Sequence, residues 1–230
     1  MNIKYTEIIK IGNCEVILLG IEVDDIKAYI DKLVKSVSDT SWITSLDKIS
    51  QISYRANVDK TTDRLVDIFK KSKCKVNGEV GEYIVSLSSM DALEEKHNHI
   101  KIPLSELWKS KLIGNDGFDF HTVTELNNIN FGEAKYNSRD NPYRVAAMQV
   151  KEFIKQDKDN ADLIHIRNLE PIIGKTPIYV KDEFNYSISF SVNSNKLETI
   201  LNNSLESEDV KDLIGKSKAL FIIGVQIVTI

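Results

Sequence analysis

The feature that most constrains this chain is a change of hydrophobic period at its centre. From about Asp24 to Glu95, apolar residues recur mainly every three or four positions, the spacing of amphipathic helices. Then Gly114-Asn115-Asp116-Gly117 gives a dense turn signal. Phe118 to Thr124 alternates as a strand, Glu125-Leu126-Asn127-Asn128 suits a hairpin connection, and Ile129 to Tyr136 reads as the second strand. Asn141-Pro142 follows as N-cap and first helical position. Tyr143, Ala146, Ala147, Val150, Phe153 and Ile154 give that helix its buried face. A strand hairpin feeding a helix is therefore expected at the heart of the fold.

The flanks fit around it. Cys14 to Gly20 is an apolar strand ending in Gly. Asp24-Asp25 opens a helix with Ile26, Tyr29, Ile30, Leu33, Val34 and Val37 on one face. Helices are expected over about Asp59–Lys71 and Glu79–Glu95, with Asn77-Gly78 breaking the chain between them. Tyr186, Ile188, Phe190 and Val192 alternate with serines, predicting a half-buried strand. A helix over about Asn195–Leu205 and a buried C-terminal strand, Leu220–Val228, complete the chain. That last run is too short to span a bilayer, which needs about 20 residues. With 4 prolines, 10 glycines and 42% hydrophobic residues, long linkers are not expected and a sizeable core is. Loosely alternating strands and helices predict an α/β or mixed α+β fold.

The hairpin carries charges in unusual places. Residues two apart on a strand share a face, so Glu133 and Lys135 lie together. Gly132 and Ala134 on the other face let a helix pack closely. Asp119 and His121 share a face of the preceding strand, and hairpin pairing would bring Asp119 to Glu133. Two carboxylates a few Å apart repel, and a bound divalent cation relieves the repulsion. Oxygen ligands with open coordination positions suit Mg²⁺. Such an ion can hold a phosphate and generate hydroxide near neutral pH. Lys135 can polarise the attacking water or stabilise the charge that develops on phosphorus. The plainer reading is an exposed strand ion pair, worth ~0.5 kcal/mol. Phe118, Phe120, Phe131 and Tyr136 would half-bury these charges, and that context favours chemistry.

Asp119 followed by Glu133-Ala134-Lys135 resembles the PD-(D/E)xK signature of restriction-endonuclease-like nucleases. The stretches Gly114–His121 and Phe131–Tyr136, with Ala146-Ala147 on the next helix, are similar more narrowly to the HamA family, nuclease subunits of Hachiman antiphage systems. The resemblance spans roughly Gly78 to Phe153. It implies one nuclease domain over residues 1–230, a restriction-endonuclease-like core sheet flanked by helices, with the catalytic core at about 76–160. The N-terminal part, about 1–75, and the C-terminal strands would be embellishments for partner contact. It also implies a core-helix glutamate at the metal site: Glu82, with Glu79 one turn away as its rival. Asp119, Glu133 and Glu82 would hold Mg²⁺, for which Mn²⁺ could substitute. Phe118 stands where the signature has proline, which leaves Asp116, in the turn, as a rival to Asp119. His121 would contact substrate or be a satisfied, partly buried histidine. Gln149 matches a position from which related nucleases reach toward the site. The implied partners are DNA and a HamB-like superfamily 2 helicase that holds the DNA and restrains the nuclease.

Charge fits a shared task. The net charge is −4 and the isoelectric point about 5.7, whereas a chain that grips nucleic acid alone is usually basic. Lys96, Lys101, Lys109 and Lys111, with Arg139, Arg144, Lys151 and Lys155, would form either a local DNA face or ordinary solvated surface. His97-x-His99 sits in a polar run and reads as a solvated loop. Two unpaired cysteines, Cys14 and Cys74, and an N-terminus without an apolar run suit the cytoplasm. The competing readings are a stand-alone restriction or repair nuclease and a nuclease fold kept as a silent scaffold.

Overall fold

The computed structural model describes residues 1–72, 76, 78–109 and 117–228. The turn residues 114–116, Asp116 among them, lie outside the described residues, as do Cys74, Asn77 and Lys111. The fold is mixed α/β. Among the described residues, seven strands form one sheet: β1 (Asn2–Ile11), β2 (Cys14–Val23), β3 (Ile100–Lys101), β4 (Phe120–Val123), β5 (Ile129–Lys135), β6 (Asn185–Ser191) and β7 (Ala219–Ile227). Their order is β1-β2-β7-β6-β5-β4-β3. The four central strands run parallel, and antiparallel pairs close both edges. The helices are α1 (Ile26–Ser38), α2 (Lys48–Lys71), α3 (Gly78–His97), α4 (Tyr143–Lys155), α5 (Lys158–Asn168), α6 (Glu170–Ile173), α7 (Leu197–Ser204) and α8 (Glu208–Ile214).

Local chemistry explains the boundaries. Asp25 caps α1 through Ala28 N–H at 2.9 Å, as its position promised. Asp47 caps α2 through Ile49 and Ser50, so that helix begins eleven residues before the expected Asp59. Its first turns are polar and expose Ile49 and Ile52, which blurs the amphipathic pattern there. At α4 the cap is Pro142 and the first helical residue Tyr143, one position later than expected. Asn141 instead accepts the Asn193 N–H. The hairpin turn closes as anticipated, Thr124 N–H donating to Asn128 C=O, with Asn127 at φ 70°.

The sheet is sandwiched. Gly81 of α3 packs against Tyr136 on one face, while Tyr143 and Phe153 of α4 pack against Phe190 and Phe118 on the other. This corrects the reading of β6 as half-buried, because every residue of it is buried. Strands covered on both faces lose the alternation of half-exposed ones, and serines here mark close packing rather than solvent. The C-terminal strands, expected as embellishments, are buried at the centre of the sheet, with β7 between β2 and β6. His97-x-His99 is also corrected. His99 is buried, its Nδ1 2.8 Å from Thr122 Oγ1 and its ring edge-on to Phe221, and burial pushes it down to about 3. No helix among the described residues is long and apolar enough to cross a membrane.

Candidate active site

The site forms where β4 stops pairing with β5. Phe120 pairs with Gly132, so Asp119 arrives beside Glu133 at the point where the ladder ends. Its N–H donates to Gly132 C=O at 2.9 Å. Its carboxylate takes over the ladder's next role, accepting the Ala134 N–H at 2.8 Å. That bond locks the acid against the strand that carries Glu133 and Lys135. Gly132 has no side chain because the Phe120 ring lies where a Cβ would stand.

Glu133 is the most unusual residue of the cluster. It is 1% exposed. One oxygen accepts the Lys135 ammonium at 2.6 Å, and the other, Oε2, is buried without a hydrogen-bond partner among the described residues. Burial first, and the Asp119 charge second, hold its carboxyl well above the usual range. Burial also raises Asp119, against the pull of Lys135. Lys135 is lowered by burial, but Glu133 and Asp119 outweigh this and keep it a firm cation.

Glu82 arrives from α3, whose close approach depends on Gly81 against Tyr136. It lies 3.9 Å from Lys135, and burial raises its carboxyl too. Glu79, Glu82, Tyr83, Ser86, Leu104, Glu106 and Asp119 line a cleft of about 190 Å³, room for a few water molecules. All four expected catalytic side chains, Asp119, Glu133, Lys135 and Glu82, are thus drawn together. Glu79, the rival, sits on the cleft wall and ion-pairs with Arg64 at 3.7 Å.

Two expected substrate contacts fall elsewhere. His121 is fully buried, its Nε2 2.9 Å from Asp162 and its Nδ1 3.1 Å from Ser105 Oγ. Burial pushes it down to about 4, so it is a neutral packing histidine under Trp108 and Phe131. Gln149, half-buried on α4, makes no hydrogen bond to the cluster among the described residues. The basic face is broken up as well. Lys101 is bound to Asp91 and Glu94, Lys151 to Asp209 and Asp212, and Lys109 to Asp162.

Two residues near the site, Glu106 and Lys109, were not read from the sequence as part of it. Glu106 lines the cleft from the 3₁₀ turn Ser105–Leu107, its carboxylate held by Tyr83 and Arg64. Lys109 donates to Phe118 C=O at 3.1 Å and to Asp162 at 2.7 Å, which pins the segment leading into Asp119. Nothing in their local sequence marks them.

The donor set suits a hard divalent cation: carboxylate oxygens, one of them buried and bare. Among the described residues, however, no three such side chains are gathered tightly enough to coordinate an ion as they stand. Lys135 lies between Glu133 and Glu82. Glu82, 40% exposed along its side chain, is the most accessible of the three acids and is held by the Tyr136 backbone and Lys135. No protein-family model matches this chain, and no curated protein does either.

Proposed function

We propose that this chain hydrolyses phosphodiester bonds in DNA, with Mg²⁺ or Mn²⁺ held by Asp119, Glu133 and Glu82. The observation that carries the proposal is the bare, buried Glu133 oxygen beside Asp119. A carboxylate stripped of water without full hydrogen bonding is costly, and a fold built around packing alone has no need of it. The bound cation would neutralise the phosphate and acidify a water. Asp119 is oriented for this by its bond to Ala134 N–H. Lys135, fixed by Glu133, presents an ammonium to the developing charge. The resemblance of these residues to Hachiman nuclease subunits supports an antiphage role beside a helicase. The acidic charge of the chain supports a partner that supplies the DNA grip.

A second reading has its own observation. Lys135 already neutralises Glu133 and approaches Glu82, as it would in a silent scaffold. Cleavage of supercoiled plasmid separates the two, with Mg²⁺ or Mn²⁺ against EDTA, by the chain alone and with a neighbouring helicase. The nuclease reading expects cation-dependent nicking, reduced at least 100-fold in folded Glu133→Gln and Lys135→Ala. Cleavage that survives both substitutions, or none in any combination, contradicts it.

A further inference from the structure

The proposed cleft is walled by four carboxylates, Glu79, Glu82, Glu106 and Asp119, and a phosphate must enter among them. Lys135 sits behind this wall, only 16% exposed along its side chain. Arg64, from α2, is at the rim. Its Nη2 lies 2.5 Å from Glu106 Oε2 and its Nη1 3.7 Å from Glu79 Oε1, while the side chain stays 44% exposed. Tyr83 holds the other oxygen of Glu106, so the guanidinium is seated on two side chains that line the cleft.

We propose that Arg64 is the substrate-gripping residue of this site: its guanidinium leaves Glu79 and Glu106 to clasp the phosphate next to the scissile one. The inference rests on the phosphodiesterase reading above. Its grounds are geometric and chemical. A planar fork matches two phosphate oxygens as well as two carboxylate oxygens. Exposed ion pairs of this kind hold little stability, so giving them up for a phosphate costs little. The incoming anion meets a cation before it meets the acids. Arg64 also belongs to α2, outside the hairpin and α3 that supply the acids, so the N-terminal helices become part of the substrate path rather than an appendage.

The test is binding of a fluorescent duplex oligonucleotide to the full chain in Ca²⁺, which occupies oxygen sites without supporting rapid cleavage, followed by cleavage kinetics in Mg²⁺. For Arg64→Ala the expected result is roughly 10-fold weaker binding, and a slope of log K against log salt smaller by about 0.9, one phosphate contact. KM should rise by a similar factor, with kcat within about threefold. Arg64→Lys should restore the salt slope but not the full affinity. Adding Glu79→Gln to Arg64→Ala should not restore binding. If it does, Arg64 merely neutralises the rim and the proposal fails. An unchanged salt slope and KM, with lowered thermal stability, would make Arg64 a structural clasp and likewise overturn it while the nuclease reading stands. If the wild-type chain neither binds nor cleaves DNA, the underlying reading fails and this inference falls with it.

Discussion

Glu133 has one hydrogen-bonded oxygen and one bare one in a buried setting, and this governs how the residue behaves. Its folded-state acidity is weakened, so the folded chain holds a proton that the unfolded chain releases. Stability from this group is therefore present below its unfolded value and is lost as pH rises through the raised one. Glu133→Gln should accordingly melt higher than wild type at pH 8 without metal, by about 2–4 °C, the shift that ~1 kcal/mol produces at this length. The gain should shrink at pH 5. A lower melting temperature at pH 8 would show that the ion pair with Lys135 stabilises the fold. Lys135→Met should cost about 2–3 kcal/mol because it strands a buried acid. The Glu133→Gln/Lys135→Met double variant should recover most of that loss, and simple additivity in denaturant melts would contradict the coupling. These residues were legible because strand spacing is local: two positions apart means one face. The two readings of His121 stayed open because its partner, Asp162, is 41 residues away on a helix whose polar sequence reads as solvent-facing.

At the scale of elements, the site depends on how closely α3 and β4 approach β5. A Cβ on Gly81 would fall inside the ring of Tyr136, and one on Gly132 inside that of Phe120. Gly81→Ala should lift α3 off the sheet and carry Glu82 away from Lys135. Overpacking of this kind costs about 1–3 kcal/mol. The variant should lose melting temperature and Mn²⁺ affinity together. Loss of stability with unchanged affinity would show that Glu82 plays no part in holding the ion. The hairpin, α1, α3 and α4 were readable from period and caps. Strand β1 was not, because Asn2–Ile11 mixes Lys, Glu and Thr with isoleucines on an exposed edge. Strand β6 was read as half-buried because its serines imitate a solvent face. Burial on both sides is a property of the layers, not of the strand.

At the scale of the whole molecule, the sheet joins parts of the chain that sequence alone keeps separate. Strand β7 pairs with β2 across some two hundred residues, and β5 lies beside β6 only after three intervening helices. The mixed α/β class was legible from alternation of elements, while strand order, set by long-range packing, was not. The outcome is an acidic chain whose buried carboxylates gather at one ladder end. An ion that binds only the folded state must stabilise it, by about 2.7 kcal/mol at a concentration 100 times Kd. Ion binding must also release protons from carboxyls held above their usual range, so affinity should rise between pH 6 and pH 8.

The most direct measurement is calorimetric titration of the full chain with Mn²⁺ at pH 6 and pH 8, beside Glu133→Gln. The account predicts saturable binding by wild type, tighter at pH 8 and with more protons released at pH 6, and at least tenfold weaker binding by folded Glu133→Gln. Absence of binding by wild type at either pH, or equal affinity in the variant, would contradict it.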